Sequence, residues 1–298
     1  MSKKKMPESL AMSVARKDIA SGNGDGPGDQ VDAELQSPCV PGLVAQIQEL
    51  HVMRETSLRM ILRIDNNCRA YARRLLGFQT TLPEKEREAI RKAAEAAISA
   101  LVEGVECSEP RITHALKPLV EASQLARVPY VRIESSCMKD MAKLAALLPA
   151  AEFVRRTRGF GFPGYAQTIG EAGELSKYGN PGKLWKRMGL AVFDGKSQRK
   201  VTGDAAIEQG YCPRRRSIMW RIGDSMIKGN KDGYRTLYDE RKAMEVVRSP
   251  EMTKMHAHRR AQRYMEKRLL KDLWREWRGQ GLSEPHGTSA APPAIATL

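Results

Sequence analysis

The chain has 298 residues, 41% of them hydrophobic, which leaves room for one large or two modest domains and excludes global disorder. Aromatics are sparse at 6%, whereas Ala, Leu, Glu, Lys and Arg are plentiful, a composition that favours helix over sheet. The net charge of +15 calls for an anionic partner. Residues 152–278 hold 29 Lys and Arg against 15 Asp and Glu, so nearly all the excess lies in the C-terminal half, the candidate nucleic-acid surface. The alternative is a basic domain whose charges are simply solvated. Five scattered cysteines (Cys39, Cys68, Cys107, Cys137 and Cys212), with no Cys-x-x-Cys and no Cys/His cluster, argue against a disulfide framework or structural zinc and fit a reducing cytosol. Lys3–Lys5 is followed by no apolar run that would make a signal peptide. The longest apolar stretch, Leu144–Ala151, contains Pro149 and is too short to span a bilayer, so no membrane partner is expected.

In chain order, residues 1–41 are rich in Gly, Ser, Asp and Pro and read as a flexible tail. Residues 42–150 read as a helical arm and bundle. Gly42 to Gly77 forms one long helix of roughly 50 Å. Its heptad seam is Leu43, Ile47, Leu50, Arg54, Ser57, Ile61, Ile64, Cys68, Tyr71 and Leu75. The 42–77 helix is therefore either a candidate homo-oligomer contact or an ordinary bundle helix. Thr81-Leu-Pro-Glu84 opens a second helix that Gly104 stops. Two further helices are expected over 109–126 and 134–148.

Phe153 to Leu190 carries a short basic helix, a glycine-rich break at Gly159–Gly164, a helix over 165–172, a second break at Tyr178–Gly182 and a helix over 183–188. Arg155, Arg156, Arg158, Lys183, Lys186 and Arg187 surround these breaks. Gly159 and Gly161 permit positive φ and close approach to a phosphate, while the exposed N–H groups of a following helix favour anions. The same glycines serve equally well in a packing turn. Val192-Phe193, the turn residues Asp194-Gly195 and then Arg199–Thr202 predict a β-hairpin whose tip bears Lys196, Ser197, Arg199 and Lys200. Ser197, ringed by cations and near Arg214, Arg215 and Arg216, is either a nucleophile for phosphoryl chemistry or a hydroxyl that touches a phosphate. Pro213 opens a helix with Ile218, Met219, Ile222 and Met226 inward, and a helix covers 232–247. Ser249-Pro250-Glu251 opens the last helix, with Met255, Leu269, Leu273, Trp274 and Trp277 inward and Arg259, Arg260, Arg263, Lys267 and Lys271 outward. His256 and His258, two apart, cannot bind one metal from one helix face and are structural or phosphate-facing. Residues 279–298 read as a disordered tail.

These residues resemble the insertion-sequence transposases known as the one-ten / one-sixteen / nine-oh-two group, across about two-thirds of the chain. The resemblance is carried by Gly159-Phe-Gly161, Glu171-Ala-Gly-Glu174, Lys177-Tyr178 and Leu184-Trp-Lys-Arg-Met-Gly-Leu190. It continues through Arg235-Thr-Leu-Tyr-Asp-Glu-Arg241 and residues 261–274, and takes in Arg54, Arg63, Asn67 and Leu75-Leu-Gly77 of the arm. It implies a mainly α fold: a helical arm and bundle followed, over 151–278, by a helical DNA-binding domain with a helix-hairpin-helix-like unit and a small β-hairpin. It also implies DNA as partner, with a guide RNA as a second candidate, a role in DNA transposition or site-specific recombination, and a cytoplasmic, nucleoid-associated bacterial location. In the family a catalytic serine follows the Gly-Leu, usually as Ser-Gly. Ser197 occupies that place here, followed by Gln198. The family's RuvC-like domain with four metal-binding carboxylates has no counterpart, so no cofactor is evident and magnesium enters only if a partner supplies the acidic domain. The alternative reading is a non-catalytic DNA-binding or regulatory relative derived from a truncated transposase.

Overall fold

Proline and glycine punctuate the helices. The structure, a computed structural model, describes residues 39–105, 109–229 and 233–279. Cys107, Asp232, most of the 1–41 tail and all but Gly279 of the 279–298 tail lie outside these residues. Helix α1 (Val40–Leu75) has Pro41 in its first turn, where the missing N–H costs nothing, and Gly77 at φ 75 just past its end. Helix α2 (Glu84–Glu103) has Glu84 and Glu86 in its first turn and stops at Gly104, which is left-handed. These two helices fall where the sequence places them.

Helix α3 does not. One unbroken helix runs from Pro110 to Ala145 with Pro118 and Pro129 inside it, in place of the two expected segments. Each internal proline removes a hydrogen bond and costs about 3 kcal/mol. Both prolines are exposed, as are His114 and Leu125 four residues back, the residues whose carbonyls lose a donor. The opposite face of α3 packs along α1, and that long contact outweighs the breaks. The pairs Arg54–Glu134, Asp65–Arg127 and Cys68–Ser123 show that the two helices run antiparallel.

The α1 seam is filled by the chain's own helices. Leu43, Ile47, Arg54, Ser57 and Cys68 are buried, whereas Tyr71 is exposed. Arg54 donates to Glu134 at 2.8 Å and Ser57 to the Met53 carbonyl at 3.1 Å, so the polar interruptions of the heptad are satisfied in place. At the outer end of the arm α2 closes a small core of Cys68, Ala72, Ala94, Ala97, Ile112, Leu116 and Val120.

A larger core holds the root of the arm to the C-terminal half. Leu43, Val44 and Ile47 of α1 and Met141 and Ala145 of α3 lie in one cluster with residues beyond 150, so a boundary there passes through shared packing. Short helices α4 (Ala151–Arg156) and α5 (Gly161–Ala172), a 3-10 turn over Leu175–Lys177, and α6 (Pro181–Arg187) wrap this core. Strands β1 (Val192–Phe193) and β2 (Lys196–Ser197) form a two-residue antiparallel hairpin. The second strand therefore lies before Arg199–Thr202, because Asp194 (φ 48) and Gly195 (φ 73) make the tightest hairpin turn. A short helix α7 (Asp204–Gln209), absent from the sequence reading, precedes α8 (Pro213–Gly229), α9 (Tyr234–Arg248) and α10 (Lys254–Trp277). The start of α10 is set by Thr253, whose hydroxyl accepts from the His256 amide, and not by Ser249-Pro250. Leu269, Leu273, Trp274 and Trp277 point inward as expected, but Met255 is 56% exposed. Inward positions on α8 all hold: Ile218, Met219, Ile222 and Met226 are buried.

Candidate nucleic-acid interface

Gly159 in the first break serves packing. A Cβ on Gly159 would lie 2.7 Å from the Cα of Met226 and 3.0 Å from the Ser225 carbonyl, so this residue lets the chain touch the α8 backbone. Gly161 (φ 60) opens α5, which starts four residues earlier than the sequence suggests, with Pro163 in its first turn. Of the two readings left open at this break, the packing turn is the one observed at Gly159.

A buried carboxylate ties three elements together. Glu171 on α5 is 3% exposed. It meets His51 Nε2 at 3.1 Å, Arg215 Nε at 3.0 Å and Arg214 Nε. Burial alone would push its pKa up, but the hydrogen bonds from His51, Arg214 and Arg215 prevail and hold it down to about 2. Gly170 makes room for the imidazole, since a Cβ there would sit 2.6 Å from His51 Cγ. Arg187 Nε donates to the Glu171 carbonyl at 2.9 Å.

The basic residues therefore divide into two sets. Arg214 and Arg215 clamp Glu171, Arg214 also reaches Glu55 at 3.4 Å, and Arg216 Nη1 lies 2.8 Å from Glu266. This trio is half-buried and held in ion pairs with carboxylates of the chain itself. Arg155 pairs with Glu152 and stacks over Phe162 at 5.7 Å, while Arg156 pairs with Glu276. Arg158, Lys183, Lys186, Lys196, Arg199 and Lys200 are exposed and form no ion pair among the described residues. Asn180 caps α6 by accepting from the Lys183 amide at 3.0 Å, which fixes Lys183 and Lys186 on one short helix.

Gln198 holds the hairpin against α6 and α7. Its side chain is buried and donates to the carbonyls of Lys186 (3.2 Å) and Gln209 (2.6 Å) while accepting from the Ala191 amide at 3.2 Å. Where the resembled family has glycine, this chain has a three-point polar pin. Lys186 Nζ lies 5.6 Å from the Phe193 ring centre, so α6 and the hairpin present one basic edge. Ser197 is exposed on β2, and no hydrogen bond to its hydroxyl is formed among the described residues.

A second basic feature, unmarked in the sequence reading, lies between α8 and α10. A cleft of about 380 Å3 is lined by Arg216, Ser217, Trp220, Arg259, Gln262 and Arg263, with Pro213 at its end. Arg216 and Trp220 are four residues apart on one helix, Arg259 and Arg263 four apart on the other. That spacing was the available signal. Glu266 lies beneath, fully enclosed. Burial pushes its pKa up, Arg216 and Arg263 pull it back, and it stands at about 7. Beyond the cleft Lys267 Nζ sits 5.3 Å from the Trp185 ring centre. The histidines of α10 part company: His258 Nδ1 bonds the Tyr238 hydroxyl at 2.8 Å and is structural, whereas His256 is exposed. Among the described residues no group of three His, Cys, Asp or Glu could hold a metal ion, and no helix is long and apolar enough to cross a membrane.

Glu266 gives an unusual pH dependence. Its folded pKa, about 7, lies above its ordinary 4.5, so its contribution to stability is full below pH 4.5 and is lost as pH rises to about 7. Glu266→Gln, which mimics the protonated form, is expected to match the parent at about pH 4 and to exceed it at pH 8 by on the order of 3 kcal/mol. Urea midpoints at the two pH values check this; equal differences at both would refute it.

No family model, no curated protein and no solved structure matches the chain.

Proposed function

We propose that this chain is a DNA-binding protein acting in DNA transposition or site-specific recombination. The carrying observation is the set of exposed, carboxylate-free cations that Gln198 and Phe193 gather onto one edge: Lys183 and Lys186 on α6, and Lys196, Arg199 and Lys200 in and after the hairpin. Such an edge offers point charges to a phosphate backbone without first breaking internal ion pairs. The recombination role rests on the family resemblance of residues 159–274. Ser197 lies on this edge as the candidate nucleophile, but binding, not catalysis, is what the geometry supports. The alternative is a non-catalytic DNA-binding relative in which Ser197 only touches a phosphate.

The test is a DNA titration at 50 and 200 mM salt. The plot of log affinity against log salt should fall with a slope of about −0.9 per phosphate contacted. Replacing Lys183, Lys186, Lys196 and Lys200 together by Glu should weaken binding at least ~100-fold and flatten the slope by about 3 to 4. Binding that ignores salt, or a fourfold variant that binds as the parent does, would refute the proposed edge.

A further inference from the structure

The cleft between α8 and α10 has the makings of a specific subsite. We propose that it holds one nucleotide of an unpaired DNA strand, with the indole of Trp220 stacked on the base and Arg259 and Arg263 on the phosphate. This inference rests on the DNA-binding reading above and adds to it the form of DNA recognised.

Three observations carry it. First, the charge is unbalanced. Three guanidinium groups line the cleft, and Glu266 is the carboxylate beneath them; Arg259 and Arg263 form no ion pair among the described residues. Arg263 is half-buried, and burial and the neighbouring Arg216 press its pKa down against the pull of Glu266. Second, Trp220 is 48% exposed at the wall of the same cleft. A large aromatic surface left in water beside arginines is the pairing that base stacking and phosphate contact require. Third, the cleft is preset. Gln262 Nε2 donates to the Trp220 carbonyl at 2.9 Å and fixes the spacing of the two helices. Gly223 lets them approach, since a Cβ there would lie 2.7 Å from both Gln262 Nε2 and Glu266 Oε1. The volume of about 380 Å3 falls at the small end of ligand sites and suits a single nucleotide. In a duplex the base faces are covered by their neighbours, so a stacking wall selects an unpaired base.

The experiment uses the full chain and three probes of equal length: a single-stranded oligonucleotide, its duplex, and the single strand with abasic sites. Binding is read by anisotropy and by tryptophan emission. Trp220→Ala and the double variant Arg259→Ala/Arg263→Ala alter exposed or half-buried side chains, and circular dichroism checks that they fold. Arg216 is left intact because it faces the buried Glu266. Trp220→Ala should weaken single-strand binding about 10-fold and leave duplex binding unchanged. The double variant should flatten the single-strand salt slope by about 1.4. The abasic strand should bind the parent as weakly as the intact strand binds Trp220→Ala. Single-strand binding quenches emission in the parent and not in Trp220→Phe. If the parent binds DNA but all variants bind single strands as it does, the cleft assignment falls while the DNA-binding reading stands. Inorganic polyphosphate that displaces the strand equally from parent and Trp220→Ala would reduce the cleft to a simple anion site and also overturn the inference. A parent that binds neither form of DNA overturns both readings.

Discussion

Glu171→Ala is expected to lower the free energy of unfolding by about 3–5 kcal/mol, the usual consequence of stripping the partner from buried charges. The carboxylate is 3% exposed and is shared by His51, Arg214 and Arg215, so its loss strips the partner from the largely covered Arg215 and His51 and leaves the half-exposed Arg214 with Glu55 alone. Because the pKa of Glu171 is held down to about 2, below its ordinary 4.5, its contribution is present above pH 4.5 and is lost as pH falls toward 2. The acid limb of the stability curve should therefore flatten in the variant. Chemical denaturation between pH 3 and pH 7 measures both effects. A variant within 1 kcal/mol of the parent at pH 7 would mean that the arginines find other partners and that Glu171 does not hold α1, α5 and α8 together.

Gly159→Ala carries the second large effect. Positive φ at a non-glycine residue costs about 1–2 kcal/mol, and forcing extra volume into a packed contact costs typically 1–3 more. At φ 82, with the Met226 Cα 2.7 Å from the new methyl and backbone on every near side, both penalties apply. We expect a loss of about 2–5 kcal/mol in urea unfolding. Gly77→Ala is the matched control: φ is 75 there but nothing lies within 4 Å, so about 1 kcal/mol should be lost. Equal losses at the two sites would show that the approach of the 159 turn to α8 is not tight.

The local features were legible because they are written in adjacent residues. Gly77, Pro83 and Gly104 bound α1 and α2, and the apolar stripe of α8 faces inward as its spacing indicates. Charge, by contrast, was legible only as a sum. Arg214–Arg216 read as a phosphate site because their partners, Glu171 and Glu266, lie about 44 and 50 residues away in sequence and are brought in by packing. The hairpin turn is legible at Asp194-Gly195, although the second strand is not, and the role of Gln198 is hidden, since its three partners come from Lys186, Ala191 and Gln209. Pro118 and Pro129 misled for a related reason: a helix that has a long partner continues through residues that would end it alone.

The alanine-built core at the outer end of the arm has a kinetic consequence. Ala94 and Ala97 are the buried residues of α2, and small side chains remove little apolar surface from water, so α2 is held mainly by half-buried Ile98 and Leu101 and by the exposed Arg69–Glu95 pair. Detaching it costs far less than opening the core around Tyr165, Met219 and Leu269. Graded protection is therefore the expected result of hydrogen exchange: backbone amides at the outer end should trade hydrogen with solvent through brief local openings, while those of α5, α8 and α10 should wait for global unfolding. An extended arm that loosens from its far end leaves the basic edge and the cleft undisturbed at its root.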